Sequence, residues 1–196
     1  MATAHADNLD RWQGLASSAV CDCLNRFQAM HAAIRPVVDG TLLGRAWTAR
    51  SMPGENNTLL RAIETAPAGS ILVVDAGGFV DRAVWGEVRT MEAIRAGIIG
   101  LIVDGAVRDV DAIRQRGFTV YARGICAAGP NKGWDGDVGG QIQCAGVVVN
   151  PGDLVVADTD GVVVVPRDRE EQVLLDARRR QQEDADLIAQ ATRGHR

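Results

Sequence analysis

The chain has 196 residues, of which 46% are hydrophobic, 23% charged and 4% aromatic, with a formal net charge of −4. That balance excludes wholesale disorder and supplies enough apolar surface for one packed core without disulfide staples. The one basic run, Arg178-Arg179-Arg180, sits among acids, so the concentrated positive charge of a nucleic-acid binder is missing and no such partner is expected.

Ser17 and Ser18 stand where a helix would be capped, with Val20, Leu24 and Phe27 following at helical spacing, before Arg35-Pro36 forces extended backbone. Residues 37 to 52 read as strand interrupted by Gly40 and Gly44. Pro53-Gly54 then turns the chain, and Asn56 or Asn57 can cap a short helix carrying Leu59, Leu60 and Ile63, ended by Pro67 and Gly69. Ile71-Leu72-Val73-Val74 is a continuous apolar run, the pattern of a strand buried on both faces, and Gly77-Gly78 follows. A helix is expected from about Arg82 to Ala96, with Gly97 as its C-terminal cap, leading to a second apolar run from Ile98 to Val103. A further short helix begins at Asp109, carries Val110 and Ile113, and closes near Gly117 before the strand-like Phe118-Thr119-Val120-Tyr121. Alternating strands and helices predict an α/β core.

Past Gly129 the texture becomes β-rich. Gln141 to Val149, Leu154 to Ala157 and Val162 to Val165, separated by Asn150-Pro151-Gly152-Asp153 and Asp158-Thr159-Asp160-Gly161, read as consecutive hairpins closed by Pro166. Gly133, Gly136, Gly139 and Gly140 form a flexible loop, a candidate lid, without the lysine and hydroxyl spacing of a P-loop. Residues from about 167 to 191 are charged with a partial apolar stripe of Val173, Leu174, Ala177, Leu187 and Ile188, predicting a long helix that covers the body or a neighbouring subunit. The whole chain, 1–196, is expected to be a single domain.

Cys21, Cys23, Cys126 and Cys144 lack zinc-site spacing and read as reduced, mostly buried thiols, and His5 and His195 lie too near the termini to build a histidine centre with His31. The chemistry must therefore fall to carboxylates, arginine and lysine. The first residues lack a basic region followed by an apolar core, and no stretch is long enough to span a membrane, so a cytoplasmic protein is expected.

The most informative segment is Leu101 to Asp109, where an apolar run stops at a turn and presents Arg108 beside Asp109. Glu87 lies earlier in Trp85-Gly86-Glu87-Val88, after a glycine that lets backbone N–H groups approach a ligand. On local sequence alone, such an arginine-aspartate pair is more often a surface ion pair at a helix start.

Taken together, Ser18-Ala19-Val20-Cys21-Asp22-Cys23-Leu24, Trp85-Gly86-Glu87, Val103-Asp104-Gly105-Ala106-Val107-Arg108-Asp109, Pro151-Gly152-Asp153 and the run Asp158 to Pro166 resemble the RraA-like / 4-hydroxy-4-methyl-2-oxoglutarate aldolase family over nearly the whole chain. The resemblance implies an α/β fold with a compact αββα sandwich or barrel-like core, similar to a swivelling phosphohistidine domain, assembled as a homotrimer or hexamer with sites between subunits. It implies one of two activities: a lyase that cleaves 4-hydroxy-2-oxo acids to pyruvate and decarboxylates oxaloacetate with Mg²⁺ or Mn²⁺, or a non-catalytic regulator that binds and inhibits a ribonuclease. The aldolase branch carries an acid, twenty residues, then Arg-Asp, and Glu87, Arg108 and Asp109 meet that spacing. Asp109 favours the enzyme, because the regulator branch commonly lacks it. One departure is that the first acid is commonly aspartate, so Glu87 is one methylene longer.

Cleaving C3–C4 of a 4-hydroxy-2-oxo acid leaves the enolate of pyruvate, and a divalent cation held by Asp109 would offset its developing charge as a Lewis acid. Glu87 is then expected to hold metal-bound water, and Arg108 to grip the pyruvyl end with paired donors. Backbone N–H groups at Gly86, Glu87 and Val88 would receive the substrate carboxylate, Lys132 would pair with a distal carboxylate, and Asn56 would hydrogen-bond substrate. For Asn56 a capping role is the stronger local reading. An acid from a neighbouring subunit's C-terminal region, with Glu183 and Asp184 as candidates, is implied by the family but fixed by no motif.

Overall fold

The structure, a computed structural model, describes residues 9–193; His5, His195 and the first residues, expected to lack a leader, lie outside them. A 3-10 turn (Leu9–Trp12) and helix α1 (Ser17–Asp22) precede β1 (Arg35–Val38), β2 (Leu42–Arg50), α2 (Asn57–Thr65), β3 (Ser70–Asp75), β4 (Ala83–Trp85), α3 (Glu87–Arg95), β5 (Gly100–Val107), α4 (Val110–Gln115) and β6 (Thr119–Ile125). The β-rich part follows as β7 (Asp137–Val138), β8 (Ile142–Cys144), β9 (Val147–Val149), β10 (Leu154–Asp158) and β11 (Gly161–Val165), before α5 (Glu170–Arg193).

The expected α/β class is observed as a mixed sheet, ordered β1-β6-β5-β3-β2-β10-β11 and curled into a half-barrel. Its centre, β2-β3-β5-β6, is parallel, while β1, β10 and β11 add antiparallel strands at the two ends. Period-two alternation sorts each strand's side chains to opposite faces. Ile71, Val73, Ile102, Tyr121, Val155 and Val164 point to the inner face, which Met30, Ile34 and the β8-β9 hairpin fill. On the outer face, Leu72, Val74, Leu101, Val103 and Val120 pack with Leu59 and Ile63 of α2, Ala93 of α3 and Ile113 of α4. A separate outer cluster joins Leu154, Val156, Val163 and Val165 to Val20 of α1 and Val173, Leu174 and Ala177 of α5. The second half of α5 leaves Leu187 and Ile188 exposed.

Several expectations are corrected. The helix expected from Arg82 begins only at Glu87, because Ala83–Trp85 is a buried strand. β3 leaves β5 at Asp75, and β4 takes over beside Ala106 and Val107, so that backbone groups of β5 keep partners to its end. Trp85 is locked by its indole N–H donating to Thr90 Oγ1 at 2.8 Å and by stacking on Phe118. Phe27 is no core residue but is 83% exposed, since α1 ends at Asp22 and the left-handed Asn25 and Arg26 redirect the chain. Ser17 does not cap its own helix: its N–H and hydroxyl donate to Asp158 at 2.8 and 2.6 Å, so the β10-β11 turn caps α1 from across the fold. The glycine-rich segment is pinned rather than loose, with Asp137–Val138 paired to β2 and Arg61 donating to Gly136 O at 2.6 Å.

Candidate active site

The cavity that matters opens at the C-terminal ends of the parallel strands, where loops of open α/β sheets collect ligands. Its volume is about 310 Å³, and its walls include Asn56, Trp85, Gly86, Val88, Arg89, Arg108, Asp109 and Lys132. Four segments far apart in sequence meet there: the start of α2, the β4-α3 junction, the β5-α4 junction and the loop after β6.

β4 fixes the junctions. The Arg108 N–H donates to Trp85 O at 2.9 Å, which sets the end of β5 beside the start of α3. Asp109 occupies the N-cap of α4 with φ 58°, a left-handed conformation that costs a non-glycine residue energy and is concentrated at functional sites. Its carboxylate does not cap its own helix; Oδ2 accepts from the Glu87 N–H at 3.1 Å and lies 3.6 Å from Arg108 Nε. Asp109 thus answers an orphan donor in the first turn of α3, where the helix dipole also favours an anion.

Gly86 makes this possible through space rather than backbone freedom. A Cβ there would stand 2.5 Å from Asp109 Oδ2 and 3.1 Å from Arg108 Cγ, and one on Gly129 would stand 2.8 Å from Arg108 Nη1. The Arg108 side chain therefore runs between two glycines. Both partners of the Arg108-Asp109 pair remain more than 40% exposed, accessible to a small molecule.

Asn56 sits at the N-cap of α2 without capping it. The buried Glu55 does so instead, its carboxylate accepting from the Asn57 N–H and, at 3.5 Å, from the Thr58 hydroxyl. The Asn56 Oδ1 atom is left buried without a partner. Of the residues expected to form the site, Asn56, Gly86, Val88, Arg108, Asp109 and Lys132 line this cavity. Glu87 does not: its carboxylate accepts from Arg116 Nη2 at 2.8 Å, and its main-chain N–H is what meets Asp109. Glu183 and Asp184 lie on α5, paired with Arg179 at 3.9 Å and Arg180 at 3.4 Å. Arg89 joins the cavity unforeseen; its spacing to Glu92 reads locally as an ordinary helix ion pair, which it also is, at 2.5 Å.

All four cysteines are free, but they are not mostly buried as expected: Cys21, Cys23 and Cys126 are partly exposed and only Cys144 is buried. Cys144 faces the half-barrel interior, where burial and then the charges of Asp104 and Asp75 push its thiol far above the usual range and keep it protonated. Among the described residues no group of three or more His, Cys, Asp or Glu side chains could hold a metal, and no helix is long and apolar enough to cross a membrane.

Residues 17–164 match the RraA-like family, described as aldolase/RraA. A protein of Halalkalibacterium halodurans named "Putative 4-hydroxy-4-methyl-2-oxoglutarate aldolase" is 34% identical over 94% of this chain and 88% of its own length. Among solved structures, an unusual member of the RNase ES inhibitor RraA protein family from Streptomyces coelicolor superposes with a TM-score of 0.83 at 25% identity, covering 93% of this chain and 96% of that one. The RNA-processing inhibitor RraA from Thermus thermophilis gives a TM-score of 0.70 at 27% identity, covering 77% and 92%. With a family match spanning most of its length, the chain belongs to the RraA-like family.

Proposed function

We propose that this protein is a divalent-metal-dependent lyase that cleaves 4-hydroxy-4-methyl-2-oxoglutarate, or a related 4-hydroxy-2-oxo acid, to pyruvate and a second oxo acid, and that it also decarboxylates oxaloacetate. The observation that carries this reading is the convergence of Arg108, Asp109 and the open N-terminal turn of α3 on one cavity, with Gly86 clearing the space between them.

The donor set fits Mg²⁺ or Mn²⁺. Asp109 offers a hard carboxylate whose Oδ1 bonds to none of the described residues, and a lone carboxylate suits an ion that keeps most of its waters. Such an ion, when bound, supplies Lewis-acid stabilisation of charge on the 2-oxo oxygen. Glu87 contributes through its main chain by holding Asp109 in place, while Arg116 engages its carboxylate.

The pyruvyl carboxylate lies against the open amides of the first turn of α3, at Val88 and Arg89, where no intrahelical acceptor exists. Arg108 directs its guanidinium at the C1–C2 end of the substrate. The C4 hydroxyl proton passes to water in the open cavity as C3–C4 breaks and C4 becomes the carbonyl of the second oxo acid; the bonding pair becomes the pyruvate enolate, whose oxygen Arg108 stabilises, and water returns a proton to C3 to complete pyruvate. Oxaloacetate loses CO₂ through the same enolate, so one cavity serves both reactions. Lys132 faces the distal half of the substrate, and Asn56 hydrogen-bonds substrate from the cavity wall. Exposed Val80, Val88 and Ile125 suit a neighbouring subunit in a homotrimer or hexamer, working in the cytoplasm.

The test is to strip the protein with chelator, supply oxaloacetate or 4-hydroxy-4-methyl-2-oxoglutarate, restore Mg²⁺ or Mn²⁺, and follow pyruvate. Metal-dependent release is expected. Its absence with both substrates would move the weight to the second reading, a regulator of a ribonuclease, which draws on the inhibitor names of two solved relatives.

A further inference from the structure

The peptide unit between Gly86 and Glu87 is engaged at both ends. Its N–H, on Glu87, donates to Asp109 Oδ2 at 3.1 Å. Its carbonyl, on Gly86, accepts twice from Thr90, from the main-chain N–H at 3.1 Å and from the hydroxyl at 3.1 Å. A trans peptide is planar, so its N–H and C=O point in opposite directions, and fixing the second aims the first. Two donors on the carbonyl also polarise the unit, which strengthens its N–H as a donor to a carboxylate.

Thr90 is an expensive residue for this place. It lies on α3 with no exposed surface, where an unsatisfied hydroxyl is costly, and a hydroxyl turned back on the carbonyl four residues earlier slightly destabilises a helix. Here the hydroxyl is used twice, donating to Gly86 O and accepting from the Trp85 indole N–H at 2.8 Å. Trp85 in turn stacks on Phe118, and its carbonyl accepts from the Arg108 N–H at 2.9 Å. The packed core thus reaches the Arg108-Asp109 pair by two routes, one through Trp85 O to Arg108 and the other through Thr90 and Gly86 to Asp109. An aspartate in left-handed backbone, with 43% of its side chain exposed, depends on such an anchor to keep one orientation.

We infer that Thr90 is a positioning residue whose hydroxyl, acting through the Gly86-Glu87 peptide, sets the orientation of the Asp109 carboxylate. It touches no substrate, so its effect falls on turnover rather than on substrate affinity. The kinetic consequence rests on the lyase reading of the cavity, whereas the hydrogen bond itself is observed without any reaction.

The Glu87 amide proton is followed by NMR on the full chain, and pyruvate release from 4-hydroxy-4-methyl-2-oxoglutarate is measured in the same preparations with Mg²⁺ present. Asp109→Ala deletes the acceptor and calibrates the change in resonance that loss of the bond produces. Thr90→Val removes the hydroxyl at nearly constant size, and is expected to move the resonance part of the way in the same direction and to lower kcat about 10-fold, with KM changed less than about threefold. Thr90→Ser keeps the hydroxyl and is expected to restore both. Should the orphaned indole donor keep Thr90→Val from folding, Trp85→Phe/Thr90→Val, which has no such donor, is compared with Trp85→Phe; a role confined to satisfying the indole gives no difference between the two, and a positioning role gives the same shift and the same loss. A Glu87 resonance that does not move in Asp109→Ala or in a folded variant without the hydroxyl, an unchanged kcat beside an active wild type, or a failure of Thr90→Ser to restore it overturns the assignment. If the resonance follows the hydroxyl but the wild type releases no pyruvate, the positioning contact stands and the lyase reading falls.

Discussion

Gly86→Ala tests the proposed centre without replacing any charged group. Gly86 is in extended backbone, φ −166°, which alanine adopts freely, so the effect of the substitution is steric alone. The new Cβ would lie 2.5 Å from Asp109 Oδ2, 3.1 Å from Arg108 Cγ and 3.3 Å from Arg108 Nε. Restoring normal contact requires the carboxylate to retreat by roughly 1 Å, which lengthens its bond to the Glu87 N–H beyond hydrogen-bonding range. The lost bond costs about 0.5–1.5 kcal/mol, a fall in Tm of only a few degrees for a chain of this size. Catalysis is far more sensitive, since a displacement of about 1 Å at a reacting centre can cost 10²-fold. The expected result is a folded protein with kcat/KM for pyruvate release reduced about 100-fold, measured beside Tm by calorimetry. Near wild-type kcat/KM in folded Gly86→Ala would refute the claim that the Arg108-Asp109 geometry is the centre.

Asp109→Ala should remove both turnover and its response to added metal, whereas Arg108→Ala should lower kcat/KM about 10²–10³-fold while the metal response persists; an active Asp109→Ala protein would remove the metal assignment. Tyr121, the single tyrosine of the chain, has its hydroxyl bonded to Gly40 O at 2.7 Å, and burial followed by the charges of Asp158 and Asp39 raises its pKa to about 12. Absorbance at 295 nm should therefore stay flat through pH 10 while the fold persists. Because the folded pKa is the higher one, this group's stabilisation is complete below about pH 10 and declines from there towards pH 12. At Asp158, burial raises the carboxyl pKa, but hydrogen bonds from Ser17, Asp160 and Gly161 outweigh it and leave the value below the ordinary one. Its contribution is present above the unfolded pKa, near 4, and is lost as pH falls through the lower folded value; acid unfolding of Asp158→Asn, monitored by circular dichroism, should depend less steeply on pH in that window.

Much of the fold was legible because β3, β5, β10 and β11 write their burial directly into short valine-, isoleucine- and leucine-rich runs. The turn at Asp158 to Gly161 was equally plain from its residue types. β4 was hidden because Ala83-Val84-Trp85 is too short to show a period and merges with the helical pattern of α3; what makes it a strand is the unpaired end of β5, a tertiary fact. The start of α1 misled for a related reason, since its cap arrives from Asp158, 141 residues away. In the site, Gly86, Arg108 and Asp109 stand out as punctuation after apolar runs. The orphaned Nε of Arg89 and Oδ1 of Asn56 have no such mark, because whether a polar atom finds a partner is decided only by packing.

The two ends of the sheet carry a consequence for how copies of this chain can meet. At one end, β1 is four residues long and contains Pro36, which has no N–H to offer a newcomer. At the other, Ala29 bridges to Val163, the Met30 N–H donates to Val162 O and Gln28 O accepts from the Val164 N–H, so the last strand is sheathed by its own chain. Neither border is a template for strand addition, which guards an aggregation-prone, valine-rich sheet against polymerising edge to edge. Association between copies is thereby diverted to side-chain surfaces, where it can be specific and finite.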